Sequence, residues 1–330
     1  MLSKLVSHCA YAVFLATAVG YHNHPGVFAA DYPERPLRLI VPFPSGGGVD
    51  IVARLISQPL IEGLKTPVVV DNRPGAAGTL GTDLAAKATP DGYTLLLGSV
   101  GPLAFSPTLY KKLPYNPAKD FAPISLVAVL PNVLLAAPSA PFRTVRELIA
   151  VVKKRPGQMN YASAGSGTPP HLAMELFKTM ASINIVHVPY KGGPPALNDL
   201  MGGRVQVMFI NILTALPFVQ AARLQALAVS TTERSPVLPE VPTMEEAGSL
   251  PGFAANDWFG IVVPAGTPKR IIAILNKEFV NILSTPAVRL RLSSQGAEPI
   301  TNTPTEFTAF IKTETAKWAN VINAAGARAD

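Results

Sequence analysis

The sequence predicts a two-lobed α/β protein in which two doubly wound α/β lobes flank a ligand cleft. Three observations predict it. Apolar strand-like runs alternate with helical patterns along most of the chain, the order that builds parallel sheets covered by helices. Two loops of small residues, at 42–50 and 163–171, each leave a strand and enter a helix, in different halves of the chain. The length of 330 residues suits about two domains.

The first element is an export segment. Lys4 is the one unambiguous charge before Asp31. Ala10 to Gly20 is an apolar run of 11 residues, too short to span a bilayer and suited to a signal-peptide core. Val27 and Ala29 are the small residues a signal peptidase reads, so residues 1–29 are expected to be removed. The new N-terminus is then Ala30, or Asp31 if cleavage falls one residue later. A membrane anchor or a buried N-terminal strand is the competing reading. Cys9 has no lipobox-like residues before it.

With 48% hydrophobic and 15% charged residues, the chain is neither disordered nor a polyelectrolyte. Removing the export segment also removes Cys9, His8, His22 and His24, leaving no cysteine and only His171 and His187. A cysteine-free exported protein must rely on a large core, which about 300 residues can supply. The formal charge of +7 attracts anions. No basic stripe suits a nucleic acid. Lys153-Lys154-Arg155 sits at a helix end, where cations offset the helix dipole.

In chain order, Leu37 to Phe43 reads as a strand, followed by a Gly-rich turn and a helix over Ile51 to Leu60. Pro67 to Val70 is a strand, Leu80 to Ala88 a helix and Tyr93 to Leu97 a strand. Leu126 to Ala137 is a long apolar stretch broken at Pro131. Thr144 to Lys153 is a helix and Met159 to Tyr161 a strand. Pro169 to Met180 is a helix with proline at its start, where proline is favoured. Ile185 to Val188 is a strand, Ala196 to Met201 a helix, and Val205 to Ile210 and Leu224 to Ser230 further strands. Residues 231–256 hold no strong periodicity, and Trp258 to Val263 is the last strand. Helices over Pro268 to Leu283, Ala287 to Ser293 and Pro304 to Ala324 end the chain. That block is too helical for a free-standing sheet domain and is expected to pack on the first lobe. Lobe one is therefore read as 30–130 plus 255–330, and lobe two as 131–254.

Few residues carry chemistry. In the first loop, Phe43, Pro44, Ser45, Gly46, Gly47 and Gly48 lead into a helix, and three successive glycines let backbone amides converge on an anion. Asp50 is expected to brace that helix start. An ordinary tight turn is the plain alternative. In the second loop, Ala164, Gly165, Ser166, Gly167 and Thr168 repeat the logic, with His171 in the first helical turn. There the helix dipole disfavours a charged imidazole; a structural hydrogen bond is His171's alternative role. A third loop, Asn72 to Gly78, contains Arg73, read as a loop brace. No P-loop, GxGxxG, G-x-S-x-G or HExxH motif is present. Two histidines and no cysteine cannot build a His-rich metal centre. No motif points to a cofactor or to a catalytic site. A serine-dependent hydrolase using Ser166 and His171, and a structural module that binds nothing, are the alternatives.

The ordered motifs carry a family resemblance. Tyr32-Pro33 leads to Arg38-Leu39-Ile40-Val41-Pro42-Phe43-Pro44, then Gly46-Gly47-Gly48 and Asp50. Val70-Asp71-Asn72-Arg73-Pro74-Gly75 and Asp91-Gly92-Tyr93-Thr94-Leu95 follow. Asn160-Tyr161, Gly165 to His171 and His187-Val188-Pro189-Tyr190-Lys191-Gly192 come next. Arg234-Ser235-Pro236, Pro239 to Thr243 and Pro264-Ala265-Gly266-Thr267-Pro268 complete the series. Over nearly its whole mature length the chain resembles the Bug receptors, the extracytoplasmic solute-binding component of tripartite tricarboxylate transporters. The resemblance implies a monomeric periplasmic protein with the Venus-flytrap fold of periplasmic binding proteins. It implies a small organic carboxylate held between the loops at 42–50 and 163–171, and a two-component inner-membrane transporter as partner. One departure stands out. Members commonly read Met-Phe-Asp-Asn where this chain has Met208-Phe209-Ile210-Asn211. Ile210 either gives the cleft an apolar wall, which argues against an amino-acid ligand, or points into the lobe core.

Intact-mass measurement on protein exported by a Gram-negative host checks the first element. The expected periplasmic species begins at Ala30 or Asp31; one that retains residue 1 refutes the cleavage.

Overall fold

The computed structural model describes residues 32–329. The expected export segment and both candidate cleavage points lie outside the described residues. Strand β1 (Leu37–Val41) ends where Pro42 removes a backbone donor. Helix α1 (Gly48–Leu64) begins directly after Gly47, three residues earlier than the periodicity predicts, and runs through Pro59. Strand β2 (Val68–Asn72), helix α2 (Thr79–Ala86) and strand β3 (Thr94–Ser99) complete the first parallel unit. Short helices α3 (Ser106–Leu109) and α4 (Pro117–Asp120) precede strand β4 (Phe121–Leu130).

The long apolar stretch broken at Pro131 is two strands in two different sheets. Strand β4 belongs to one sheet and β5 (Asn132–Ala136) to the other. From β5 the chain builds α5 (Val145–Lys154), β6 (Asn160–Ser163), α6 (Pro169–Ala181), β7 (Val186–Pro189) and α7 (Gly193–Met201). Strand β8 (Val207–Asn211), helix α8 (Ile212–Gln220), strand β9 (Gln225–Val229) and the short helix α9 (Met244–Gly248) follow. The chain returns through β10 (Asp257–Pro264) to helices α10 (Lys269–Ser284) and α11 (Pro286–Ser293), strand β11 (Glu298–Pro299) and helix α12 (Pro304–Ala325). Helix α8 escapes a periodicity reading because it is apolar on nearly every face: Ile212, Leu213, Ala215 and Leu216 are all buried.

The two sheets are mixed rather than parallel. The first has the order β11-β4-β10-β3-β1-β2 and the second β7-β6-β8-β5-β9. Strands β1, β2 and β3 pair in parallel, as do β6, β7 and β8. Strand β10 runs antiparallel to β3 and β4, and β5 antiparallel to β8 and β9. The reason is connectivity. A helical crossover imposes parallel pairing, but β5 and β10 each enter their sheet directly from the other one.

The two passages between sheets are clasped together. The Asn132 N–H donates to Ser230 Oγ at 2.8 Å, and Asn132 Nδ2 donates to the Ala255 carbonyl at 2.8 Å. Ser230 Oγ donates to the same carbonyl at 2.9 Å. Asn132, Ser230 and Ala255 are buried, so the bonds satisfy polar groups that would otherwise be stranded.

Strand β10 is buried at every position. On one side Trp258 packs edge-on against Phe307 and Phe310 of α12, and its indole N–H donates to Glu314. A β-carbon at Gly260 would run into the Phe307 ring. Gly260→Ala is therefore expected to overpack this contact and cost roughly 1–3 kcal/mol. Urea unfolding reads this as a lower midpoint with an unchanged slope; an unchanged midpoint would show that Phe307 is free to move.

Candidate functional site

The loops after β1, β6, β7 and β8 all lie at the carboxyl ends of parallel strands, where open α/β sheets place their ligands. In the first loop, Gly46 takes a left-handed φ of 81°. That turn brings its N–H onto Asp50 Oδ2 at 2.9 Å. The same carboxylate accepts from Ser45 Oγ at 3.2 Å, Arg54 Nε at 2.9 Å and Asn72 Nδ2 at 3.0 Å. Burial works to raise the Asp50 pKa, but the hydrogen bonds from Arg54, Gly46 and Asn72 outweigh it and hold the carboxyl below its ordinary value. Asp50 thus stays charged and braces the loop from behind. In the third loop Arg73 pairs with Asp71 at 2.9 Å, a brace as well.

The second loop is bonded mostly to itself. Gly165 N–H donates to Ser163 Oγ at 3.1 Å, Gly167 N–H to His171 Nδ1 at 3.1 Å, and Thr168 N–H to the Gly165 carbonyl at 3.2 Å. Thr168 Oγ1 donates to that carbonyl at 2.7 Å. Three of the four amides expected to face a ligand are therefore committed inside the loop. Behind it, Tyr161, His187 and His171 form a stack, with centroids 4.7 Å apart for the first pair and 4.3 Å for the second. Ser163 Oγ accepts from Gly165 N–H and shares a second hydrogen bond with His187 Nε2, 2.6 Å away. Burial pushes His171 down to about 4 and His187 down to about 3, so both are neutral at pH 7. His171 is an acceptor holding Gly167, not a base poised beside Ser166.

A narrow inner cavity of about 50 Å³ lies between the lobes. Of the residues singled out from sequence, Phe43, Pro44, Gly47, Gly48, Ala164, Thr168 and Ile210 line it. Ile210, 2% exposed, belongs to the buried core and borders this cavity at the same time. Gly165 and Ser166 line a wider outer cavity of about 620 Å³, together with Phe43, Pro44, Ala164 and the third loop. Ser45, Gly46, Asp50, Gly167 and His171 line neither cavity; they hold the loops.

Sequence reasoning missed Ser99, Gly192, Gly193, Asn211, Thr214 and Asp257, all of which line the inner cavity. Two signals were present. Gly192-Gly193-Pro194-Pro195 has glycine before proline at a helix start. Asn211 is a residue type favoured at N-caps, and its side chain accepts from Thr214 N–H.

With these included, four helix N-termini meet at one space: α1 at Gly48, α6 at Pro169, α7 at Gly193 and α8 at Ile212, whose cap is Asn211. Prolines at 169, 170 and 194 carry no N–H and Thr214 N–H is spent on Asn211, so the first-turn amides that the cavity-lining residues offer are those of Gly48, Val49 and Gly193. No lysine or arginine lines the inner cavity among the described residues. Partial positive charge there comes from helix ends alone.

Two lobes of this topology around such a cleft define a bilobal solute-binding receptor with the Venus-flytrap fold. The chain belongs to the tripartite tricarboxylate transporter family of receptors, whose family model matches residues 52–327. It is 41% identical over 317 residues to protein BugT of Bordetella pertussis, covering 96% of each chain. Among solved structures it is similar to R. palustris Rpa4515 with adipate, at 38% identity and TM-score 0.87, covering 90% of this chain and 99% of that one. It is also similar to MatC from Rhodopseudomonas palustris with bound malate, at 35% identity and TM-score 0.84, covering 88% and 100%. The chain is thus a receptor and not an enzyme.

The lobes touch across glycines. A β-carbon at Gly47 would meet only the Pro44 carbonyl at 3.5 Å, whereas one at Gly48 would lie 2.5 Å from the Asn211 side chain of the opposite lobe. Asn211 cannot swing away freely, because Oδ1 accepts from Thr214 N–H at 3.2 Å and Thr214 Oγ1 at 2.9 Å. Gly48→Ala should therefore oppose the closed arrangement by roughly 1–3 kcal/mol, about 5–150-fold in ligand affinity, with a fall in the melting temperature of the free protein only if that form is already closed. Calorimetric titration beside a thermal melt checks this; full affinity in Gly48→Ala would show that closure does not bring Asn211 onto this position.

Proposed function

We propose that this chain is a periplasmic receptor that closes around a small, slim organic carboxylate and presents it to a two-component inner-membrane transporter. The observation that carries the reading is the meeting of four helix N-termini on a narrow cavity that no lysine or arginine lines among the described residues. Such an arrangement stabilises an anion through amides and helix dipoles, and it recognises a carboxylate without binding cationic or neutral solutes equally well. Phe43 and Ile210 add apolar wall, which suits a hydrocarbon spacer and leaves no acidic partner for an amino group at position 210. The similarity to receptors solved with adipate and with malate supports the same class of ligand.

The ligand-binding set in this reading is Phe43, Pro44, Gly47, Gly48, Ala164, Thr168 and Ile210 around the ligand. Gly165 and Ser166 stand at the outer chamber, and Ser45, Gly46, Asp50, Gly167 and His171 support the loops. The lobes divide as 30–130 plus 255–330 and 131–254, and they hinge at the Asn132–Ser230–Ala255 clasp. Export proceeds through a cleaved segment at 1–29, and the receptor acts as a monomer. A closed form that ligand favours is selected by its extra contacts across the cleft.

A thermal-shift and calorimetry screen against adipate, malate, succinate, citrate, glutamate, benzoate and a neutral sugar tests the reading. At 100 times the dissociation constant, a true ligand stabilises the native state by about 2.7 kcal/mol. The expected hits are aliphatic carboxylates at micromolar affinity, about −8 kcal/mol, with a smaller radius of gyration by scattering in the bound form. A best binder that is a sugar or an amine overturns the carboxylate reading.

A further inference from the structure

Asp257 opens β10 inside the inner cavity, and it is the one ionisable side chain among the residues that line it. It is 3% exposed. Its Oδ1 accepts the Trp258 N–H at 2.9 Å, and among the described residues it has no ion-pair partner within 4 Å. Strand pairing brings a second polar group to the same wall. Phe259 lies opposite Ser99 of β3, so Asp257, two residues earlier, shares that face of the sheet. The Ser99 hydroxyl lines the cavity, is buried, and has no hydrogen-bond partner. A buried hydroxyl without a partner costs free energy that a bound ligand can recover.

We propose that Asp257 and Ser99 are specificity-determining residues of the cleft, each donating an O–H to a carboxylate oxygen of the ligand, Asp257 as its neutral acid. The inference deepens the carboxylate-receptor reading and rests on it. Burial in a site without cations pushes the Asp257 carboxyl up to about 8, in keeping with the geometry. The neighbouring elements supply no compensating charge: β3 and β4 contain no ionisable residue. On α2, Asp83 is paired with Lys87. On α12, Glu314 accepts from the Trp258 indole and pairs with Lys317. A neutral Asp257 attracts a carboxylate, whereas an ionised one repels it in the same narrow space.

Binding is then linked to a proton. The bound state holds the Asp257 proton, so affinity is greatest at low pH and falls as pH rises through that titration. Adipate and malate are almost fully ionised from pH 7 upward, and His171 and His187, at about 4 and about 3, stay neutral there. Neither adds slope between pH 6 and 9.

Calorimetric titration of the mature protein with adipate and with malate from pH 6 to 9, in buffers of differing ionisation heat, tests this. The expected wild-type affinity falls about tenfold or more between pH 7 and 9, with proton uptake on binding at the upper end. Asp257→Asn keeps an N–H donor and the acceptor for Trp258, so it binds near neutral pH but loses both the slope and the proton uptake. Ser99→Ala weakens binding about fivefold at every pH. A flat wild-type profile without proton uptake overturns the inference and leaves the receptor reading standing, even if Asp257→Asn fails to fold. Affinity that rises with pH, or a preference for glutamate through its ammonium group, means an ionised Asp257 and overturns it too. Binding of neither acid at any pH overturns the inference together with the reading beneath it.

Discussion

The protein gathers positive potential without placing a single lysine or arginine side chain on the inner cavity, among the described residues. Four helix starts do this, at Gly48, Pro169, Gly193 and Ile212. Helix-end potential fades within a turn, so the backbone must come within hydrogen-bonding distance of whatever it holds. That requirement governs the rest. It explains why Gly48 faces Asn211 with no space for a β-carbon, and why Gly192 faces Pro44 almost as closely, with 2.9 Å from a built β-carbon to Cγ. The lobes meet through residues that have nothing to put in the way.

Such a site needs stiff loops, and each is stiffened from the side away from the cavity. Asp50 collects hydrogen bonds from Ser45, Gly46, Arg54 and Asn72. Its charge therefore serves the loop's shape and not the ligand. The second loop uses neutral groups for the same end, through Ser163, His171, His187 and the Thr168 hydroxyl. A cationic histidine here would lose its acceptor role, and burial keeps both histidines neutral. The two passages between sheets are tied together in the same way, where Asn132, Ser230 and Ala255 form a buried clasp.

Apolar surface then sets what kind of anion fits. Phe43 and Ile210 are walls of the inner cavity, and Phe43 also borders the outer one. The inner space is narrow, while the outer chamber of about 620 Å³ has a more polar rim that includes Ser166, Tyr190 and Lys191. A ligand with its carboxylate inside and its remaining length toward the outer chamber matches this division.

Much of this was legible in the sequence because it is local. Strand–loop–helix order, proline at the start of α6 and the glycine run before α1 all follow from backbone sterics within a few residues. The ordered motifs carried the family, and with it the two-lobed fold. What sequence did not reveal depends on contacts between distant segments. The mixed sheets arise because β5 and β10 arrive from the opposite lobe, and no local pattern records that. Helix α8 is apolar all round, so its period is invisible. Three amides in the second loop looked available and are spent on Ser163, Gly165 and His171, because a loop's hydrogen bonds are decided by its folded shape. Asp257 carries no sequence motif. Only the pairing of β10 with β3 sets it beside Ser99 in the inner cavity, where burial among apolar groups changes its chemistry.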